Sequence, residues 1–346
     1  MLSGGTRESP LHGGAERYQV LSVQIGTGDR RGQTVSVEST QLAGGVAHEY
    51  RPGDAVVVQL GATPQAEQWV VIDAVRRPAL YWLAAAFGVA VVLVGGRRGA
   101  AALLGLGVSF AVLAGYILPR LIAGDNPTVV SVGGATAIIG VTLYLTHGVS
   151  RKTTVAVAGT AISLLLTGLL SAAYIGVARL TGRTEESMYL QLALPGVSLN
   201  LQGLLLAGVI IGALGVLDDA SIGQASVVFA LRDANPTLGP GELYRRGLVV
   251  GRDHIGSLVN TLALAYAGTA LPLLLLFSTN GVPFAVALNR ELVASEVART
   301  LLGSLGLVAA VPITTGLAAL AARQPPAAPR GPRRAMQDDG HSARGE

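Results

Sequence analysis

The stretch from Leu199 to Leu231, LNLQGLLLAGVIIGALGVLDDASIGQASVVFAL, decides the class of the protein. Its first part completes a run of 31 residues, Ser187 to Leu217, that contains no charged side chain. A helix needs about 17 to 25 mostly apolar residues to cross the hydrocarbon core of a bilayer. Asp218 and Asp219 come next, and 12 further uncharged residues follow them. The stretch therefore predicts a membrane-spanning helix with two adjacent carboxylates at its end.

The composition is that of a membrane protein. Half of the 346 residues are hydrophobic, 13% are charged and the mean hydropathy is +0.52, whereas soluble domains have about 25% charged residues. The absence of cysteine excludes disulfides, thiolate metal sites and cysteine nucleophiles. The net charge of +4 comes from arginines spread between apolar runs. This pattern indicates topology signals beside a lipid bilayer and no binding of nucleic acid.

Two regions with different patterns follow one another. Residues 18–76 alternate apolar and polar side chains around turn sequences such as RPGD at residues 51–54, which predicts about four strands. Seven apolar runs of membrane-spanning type then follow: 79–94, 100–118, 127–146, 153–178, 199–217, 255–277 and 297–322. We predict an all-α polytopic membrane protein over residues 79–322 with a small N-terminal all-β domain over residues 18–76. Residues 1–17 are expected to be a flexible tail and residues 323–346 a disordered cytoplasmic tail.

The distribution of Lys and Arg predicts the orientation in a bacterial cell membrane. With the β-domain outside, 13 of these residues lie in inner segments and 7 in outer ones, and positive residues favour the inside. We expect a multi-pass protein with an extracytoplasmic β-domain and a cytoplasmic C-terminus. An outer folded domain normally crosses the membrane behind an anchor helix. Either the first span translocates the tail, or a hydrophobic segment precedes residue 1; we favour the second.

The helix that carries Asp218 and Asp219 is too long for one simple span. As a single helix, residues 199–231 would measure about 50 Å at about 1.5 Å per residue, which is more than a bilayer with its headgroups. We expect this helix to break at Gly223 and Gln224, or its second part to lie along the membrane or re-enter it.

A second polar cluster lies in the stretch GRDHIGSLVN, residues 251–260. Asp253, Ser257 and Asn260 are spaced i, i+4 and i+7, which places them on one face of a helix that enters the sixth apolar run. Lys and Arg counting puts this stretch on the same side of the membrane as the aspartate pair, so we expect both clusters to line one cavity. The candidate residues of an ion or solute pathway are Asp218, Asp219, Gln224, Asp253, His254, Ser257 and Asn260.

Three interpretations of these clusters are open. In the structural one, Asp218 or Asp219 forms an ion pair with Arg252 or His254 and joins two helices, with Asn260 as an interhelical hydrogen bond. In the functional one, three carboxylates and His254 form a proton relay or a site for a divalent cation. A hydrolytic metal centre is the least supported, because no H-E-x-x-H-like spacing is present. No other cofactor is indicated.

Glycine and proline positions predict where the helices pack and bend. Close helix packing is the role expected of two G-x-x-x-G pairs, Gly208 with Gly212 and Gly247 with Gly251. Pro272 and Pro312 lie within apolar runs, and each removes a main-chain hydrogen bond and can kink its helix. His147 lies at the end of the third apolar run and is expected at the membrane interface.

Several stretches resemble the YibE/F family of bacterial multi-pass membrane proteins. They are GALGVLDDASIGQAS (212–226), LRDANP (231–236), ELYRRGLVVGRDHIGSLVNTLALAYAGTALPLLLLF (242–277), RTLLGSLGLVAAVPITT (299–315) and YLTHGVSRKTTVAVAGT (144–160). The resemblance implies an integral membrane protein of unestablished, permease-like activity, with a membrane anchor before the β-domain. It assigns no catalytic residue.

The expected function is therefore a permease for an ion or small solute. The alternative is an envelope anchor or interaction protein whose outer β-domain binds an envelope protein partner. A membrane-embedded metal-dependent enzyme is the third interpretation. A permease predicts a water-accessible cavity that joins the two clusters, whereas an anchor predicts closed salt bridges. Substrate, transport direction, energy source and oligomeric state have no recognisable signal in the sequence.

Overall fold

The computed structural model describes residues 3–8, 15–42, 49–63, 66–194, 196–197, 199–279 and 281–322. The chain divides into two compact units, Met1–Ala90 and Val91–Glu346. The first unit contains a β-sheet and the second a bundle of helices, which confirms the predicted fold class. The tail predicted for residues 323–346 lies outside the described residues.

Five strands form one sheet in the first unit, in the order β1-β2-β3-β5-β4. They are β1 Ser3–Glu8, β2 Ala15–Gln24, β3 Thr34–Leu42, β4 Val56–Thr63 and β5 Ala66–Ala74. The neighbouring strands are antiparallel except for β3 and β5, which are parallel. The flexible tail predicted for residues 1–17 is wrong where β1 pairs with the start of β2. SGGTRE has no apolar alternation, so its sequence pattern did not predict this strand.

The RPGD turn forms as its residue types predict. The main-chain N–H of Asp54 donates to the carbonyl of Arg51 at 3.0 Å, and Gly53 has a φ of 99°, which residues with a Cβ rarely adopt. Tyr50, which precedes the turn, is buried. Burial and the nearby carboxylate of Asp73 raise the pKa of the Tyr50 hydroxyl above its usual value.

Ten α-helices are present in the described part of the chain. They are α1 Arg77–Val112, α2 Leu118–Ile122, α3 Pro127–His147, α4 Arg151–Val177, α5 Glu185–Ala193, α6 Leu201–Ala234, α7 Pro240–Thr269, α8 Leu271–Thr279, α9 Phe284–Asn289 and α10 Glu291–Ala321. A π-helical turn, Leu113–Ile117, joins α1 to α2. By length and composition, five described segments can cross a membrane, or six if α7 and α8 form one bent span.

The seven predicted spans differ from this number over residues 77–122. The count takes residues 77–122 as one segment of 46 residues, where the sequence predicts two runs, although the segment contains a kink. The two predicted runs are separated at Gly96, whose φ of 55° and ψ of −134° are not helical. The carbonyl oxygen of Val91 is 2.2 Å from the position that a Cβ on Gly99 would occupy, although residues eight apart in a straight helix are about 12 Å apart. The backbone therefore turns sharply at Gly96.

Helices α4, α6 and α10 form the centre of the helical unit, and they approach through small residues. A Cβ on Gly159 of α4 would lie 2.3 Å from Oγ1 of Thr314 on α10, and one on Gly306 of α10 would lie 2.0 Å from Oγ1 of Thr167 on α4. The hydroxyl of Thr314 forms a hydrogen bond of 3.3 Å with that of Ser221 on α6. Small side chains thus allow the close contact expected between membrane helices.

A row of buried hydroxyl groups follows α4. Thr160, Ser163, Thr167 and Ser171 are fully buried, and each hydroxyl donates to the carbonyl four residues earlier, at 2.6 to 2.9 Å. Because each proton is bonded within the helix, these polar side chains can be buried without a partner on another helix.

Helix α6 is continuous over 34 residues, so the predicted break at Gly223 and Gln224 is wrong. The side chain of Gln224 is 3% exposed, and its Nε2 donates to the carbonyl of Gly247 on α7 at 2.7 Å. This contact holds α6 to α7 at the point where a break was expected. At about 1.5 Å per residue α6 is about 51 Å long, and its later part packs against α7.

The proline prediction is confirmed at one of two positions. Helices α7 and α8 meet at 60°, and Pro272, the second residue of α8, has no N–H with which to continue α7. Pro312 lies inside α10, which is continuous over 31 residues. The sixth predicted span is therefore broken and the seventh is not.

Candidate functional site

A cavity of about 420 Å³ lies beside Asp218 and Asp219 in the helical unit. Its walls come from the later part of α1, from α3 and from α6. The lining is mostly apolar, and the polar side chains in it are Ser109, Thr142, Thr146, His147, Asp218 and Asp219. An apolar cavity with a few convergent polar groups is the usual form of a small-ligand site. We call it the aspartate cavity.

The two adjacent carboxylates have different surroundings. Asp218 is half-buried, and its Oδ1 atom is buried and accepts no hydrogen bond from any described residue. Asp219 is exposed. Consecutive residues of a helix project about 100° apart, so the buried side of α6, which includes Leu217, carries Asp218 partly into the bundle. An unpartnered oxygen away from water is costly, so a proton or cation would stabilise Asp218.

Hydroxyl groups add further acceptor atoms to the aspartate cavity. The hydroxyl of Ser109 donates to the carbonyl of Gly105 at 3.0 Å, and that of Thr142 donates to the carbonyl of Ile138 at 2.8 Å. Because each proton is used within its own helix, each oxygen keeps lone pairs for another partner. Carboxylate and hydroxyl oxygens are ligands that hard cations prefer. The imidazole of His147, which was expected at the membrane interface rather than as a ligand, lines the same cavity and can exchange a proton.

The second predicted cluster lines a different cavity. Asp253, His254 and Ser257 surround a space of about 370 Å³ between α6 and α7, together with Gln224. This α6–α7 cavity has no lining residue in common with the aspartate cavity. One cavity that joins both clusters is therefore not found in the described structure. The reason is geometric, since residues six apart on the unbroken α6 project about 120° apart and α7 packs on the Gln224 side.

The predicted ion pair between α6 and α7 is not present among the described residues. Arg252, His254 and Asn260 are exposed, and no described ion pair or side-chain hydrogen bond joins them to Asp218 or Asp219. The structural interpretation in which a salt bridge joins the two helices therefore has no support in this geometry. The Gln224–Gly247 hydrogen bond makes the polar contact between the helices instead.

Gly247 and Gly251 lie in a tight contact of α7 with its neighbours. A Cβ on Gly251 would be 2.5 Å from Cγ1 of Val311 on α10, and one on Gly247 would be 3.0 Å from Cγ2 of Val228 on α6. Both distances are shorter than ordinary contacts between carbon atoms. These two positions therefore have no room for a side chain, as close packing of a G-x-x-x-G pair requires.

Gly208 and Gly212 lie beside polar groups that sequence reasoning did not identify. Glu296 and Arg299 of α10 form an ion pair, with 3.0 Å between Oε1 and Nη1. Nη2 of Arg299 is 3.7 Å from the Cβ position of Gly208, and the hydroxyl of Tyr266 on α7 is 2.9 Å from that of Gly212. The sequence feature that could have identified the ion pair is the i, i+3 spacing of Glu296 and Arg299 within a helix.

A metal site built from the predicted residues is not formed in the described ranges. No three His, Asp or Glu side chains there are close enough to hold one ion together. The divalent-cation site of three carboxylates and His254 is thus not assembled. The aspartate cavity brings together two carboxylates and additional hydroxyl oxygens, which are the ligand types that hard cations prefer.

Comparison with known protein families gives a match over most of the chain. The model of a family described as YibE/F-like protein matches residues 83–324, which is well over half of the chain and includes the residues that line both cavities. No curated protein and no solved structure matches the chain.

Proposed function

The chain belongs to the YibE/F-like protein family, and we propose that it is a permease for a small cation that binds Asp218 and Asp219 during its passage. Family membership and several candidate spans give a membrane protein in contact with a lipid bilayer. They give no activity. The proposal therefore rests on the aspartate cavity.

The buried, unpartnered Oδ1 of Asp218 carries the proposal. Ionisable groups within membrane-spanning helices are costly, and those that persist mark ion pathways and proton relays or pair with one another. A structural role predicts a partner for Asp218, and no described residue supplies one. A cation would supply that partner each time it passes.

The chemistry of the lining favours a small cation over an anion or a neutral solute. Adjacent carboxylates repel an anion, and a neutral solute does not need two of them. The oxygens of Ser109 and Thr142 are available as acceptors because their protons are bonded within the helices. Water occupies about 30 Å³ per molecule in the liquid, so a cavity of about 420 Å³ has room for a cation with several waters.

The excess of Lys and Arg places the aspartate cavity in the cytoplasmic half of the protein in this proposal, with the β-domain outside. The described structure has neither the joined cavity that a permease predicted nor the closed salt bridges that an envelope anchor predicted at Asp218 and Asp219. We favour the permease because Asp218 borders a cavity with an unpartnered oxygen. Binding of an envelope protein partner to the β-domain stays a prediction.

A thermal-shift screen on purified protein tests the proposal. Chlorides of Na⁺, K⁺, Mg²⁺ and Ca²⁺ are compared with choline chloride at equal ionic strength. A cation that binds the folded state at 100 times its Kd should stabilise it by about 2.7 kcal/mol. Asp218→Asn and Asp219→Asn should lose the shift, while Asp253→Asn, in the α6–α7 cavity, should keep it. The proposal is wrong if no cation shifts the wild type, or if the shift depends on Asp253 alone.

A further inference from the structure

Helix α5 presents apolar side chains on two opposite sides. Met188, Tyr189 and Leu192 are 58%, 72% and 78% exposed, and at about 100° per residue they lie within about 100° of one another. Leu190, and Leu194 just after the helix, project to the other side and line a mostly apolar cavity of about 150 Å³ with residues of α2 and α6. A surface helix in water carries polar side chains on the face that is remote from its core. The exposed face of α5 therefore does not fit a helix that is surrounded by water.

The segment that leads into α5 is fixed to the ends of three long helices. The amide of Gln202, at the start of α6, donates to the carbonyl of Leu180, which follows α4, at 3.0 Å. The carboxylate of Glu291, the first residue of α10, accepts hydrogen bonds from the main-chain N–H groups of Thr181 and Gly182. Because α4, α6 and α10 are candidate membrane spans, α5 begins at the level where these spans begin or end.

The surface next to α5 belongs to membrane-spanning segments. Leu118 and Ile122 of α2 line the cavity behind α5, and both are also exposed. Val177, the last residue of α4, is exposed as well. All three belong to candidate spans, in which exposed apolar side chains contact lipid tails. The exposed face of α5 therefore continues a surface that contacts the bilayer.

We infer that α5 lies at the interface of the bilayer, with Met188, Tyr189 and Leu192 inserted among the lipids. Tyrosine suits this depth because its ring is apolar and its hydroxyl can bond to water or to a headgroup. No charged residue occurs from Ser187 to Leu217, so the apolar face holds α5 there without attraction to anionic headgroups. The lipids cover the exposed face of α5, and α5 in turn covers the cavity behind it.

Spin labels on single cysteines test this inference, because the chain has no cysteine of its own. The full chain is placed in nanodiscs of phosphatidylcholine, and each label is exposed to oxygen, which concentrates in lipid, and to a water-soluble nickel chelate. Met188→Cys and Leu192→Cys report on the apolar face, and Gln191→Cys, exposed on another side of α5, is the matched control. Exposed Leu165 on the apolar helix α4 and exposed Asp29 in the β-domain give the lipid and water references as cysteine variants.

The ratio of oxygen to nickel accessibility decides the outcome. At Met188→Cys and Leu192→Cys it should be severalfold higher than at Asp29→Cys, close to that of Leu165→Cys, and higher than at Gln191→Cys. A ratio equal to that of Asp29→Cys would place α5 in water and overturn the inference. Low accessibility to both reagents would show that a second copy or another protein covers the face, and would overturn it too. Tyr189→Cys, on the same exposed face, replaces either variant if that variant does not fold.

Discussion

The amide of Gln224 donates a hydrogen bond of 2.7 Å to the main-chain carbonyl of Gly247, and this bond joins α6 to α7 at the wall of the α6–α7 cavity. The aspartate cavity lies on one side of α6, and the α6–α7 cavity, with Asp253 and His254, lies on the other. The contact explains why α6 does not break here. It also explains why the two polar clusters do not meet.

Replacing Gln224 by leucine removes this donor at similar volume. We expect Gln224→Leu to lower the free energy of unfolding by about 1 kcal/mol, the usual net value of one hydrogen bond. Gln224→Glu should cost more, because an ionised carboxylate cannot donate and is buried without a partner. Thermal unfolding in detergent measures both. Asn260→Leu, at an exposed amide on α7, is the control and should leave the unfolding temperature unchanged.

The contact between α4 and α10 is tested by adding one methyl group. Gly159→Ala would place its Cβ 2.3 Å from Oγ1 of Thr314, so we expect a loss of about 1–3 kcal/mol from overpacking. Gly176→Ala on the same helix has no atom within 4 Å and should be neutral or stabilising. The double variant Gly159→Ala/Thr314→Ala should recover most of the loss. Equal unfolding temperatures for the two single variants would contradict this packing.

Glu291 fixes the loop that follows α4 to the start of α10. Its carboxylate accepts hydrogen bonds from the main-chain N–H groups of Thr181 and Gly182 at 2.5 and 2.6 Å, and from the Thr181 hydroxyl. Hydrogen bonds to charged groups contribute about 1.5–3 kcal/mol, and solvent at this part-exposed site reduces that value. Glu291→Gln should therefore destabilise the fold and speed proteolysis in residues 178–184.

Asp253→Asn is the matched control for Glu291→Gln, since Asp253 is exposed and accepts no described hydrogen bond. Unchanged proteolysis of the 178–184 loop in Glu291→Gln would show that the carboxylate does not hold it.

Filling the aspartate cavity should stop transport without unfolding the protein. Gly215 lines this cavity and a Cβ there meets no atom within 4 Å, so Gly215→Leu should fold normally and lower cation flux. Gly223 lines the α6–α7 cavity with equally open space, and Gly223→Leu should transport at the wild-type rate. Flux into proteoliposomes compares the two. Normal flux in Gly215→Leu with reduced flux in Gly223→Leu would contradict this prediction and indicate that cations pass through the α6–α7 cavity.

The main features of the fold were predictable because membrane helices and strands leave strong periodic signals. The apolar runs at residues 127–146 and 153–178 agree closely with α3 and α4, and the RPGD turn forms as its Pro and Gly predict. The length of α6 was not predictable. Bilayer thickness limits the part of a helix that crosses, but its extension in water depends on partners such as Gly247, which the local sequence does not specify.

The candidate site was predictable in composition but not in assembly. Asp218 and Asp219 stand out because they interrupt an apolar run, and the structure places them at a cavity. Which residues surround them depends on the face of α6 that packs against α7. Gln224 makes that contact, and it projects about 120° away from Asp218, so Asp253 on α7 does not meet the aspartate pair. The Glu296–Arg299 pair was missed because it lies at the start of the apolar run 297–322, where charges usually mark the boundary of a span.

Cation flux through Asp218 is the most direct test of the account. Wild-type protein and the Asp218→Asn and Asp253→Asn variants are reconstituted in proteoliposomes, and uptake of Na⁺, K⁺, Mg²⁺ and Ca²⁺ is measured at matched protein content. We expect uptake of at least one cation by the wild type and Asp253→Asn, and uptake by Asp218→Asn no faster than in protein-free vesicles. Wild-type uptake by a correctly folded Asp218→Asn variant would contradict it.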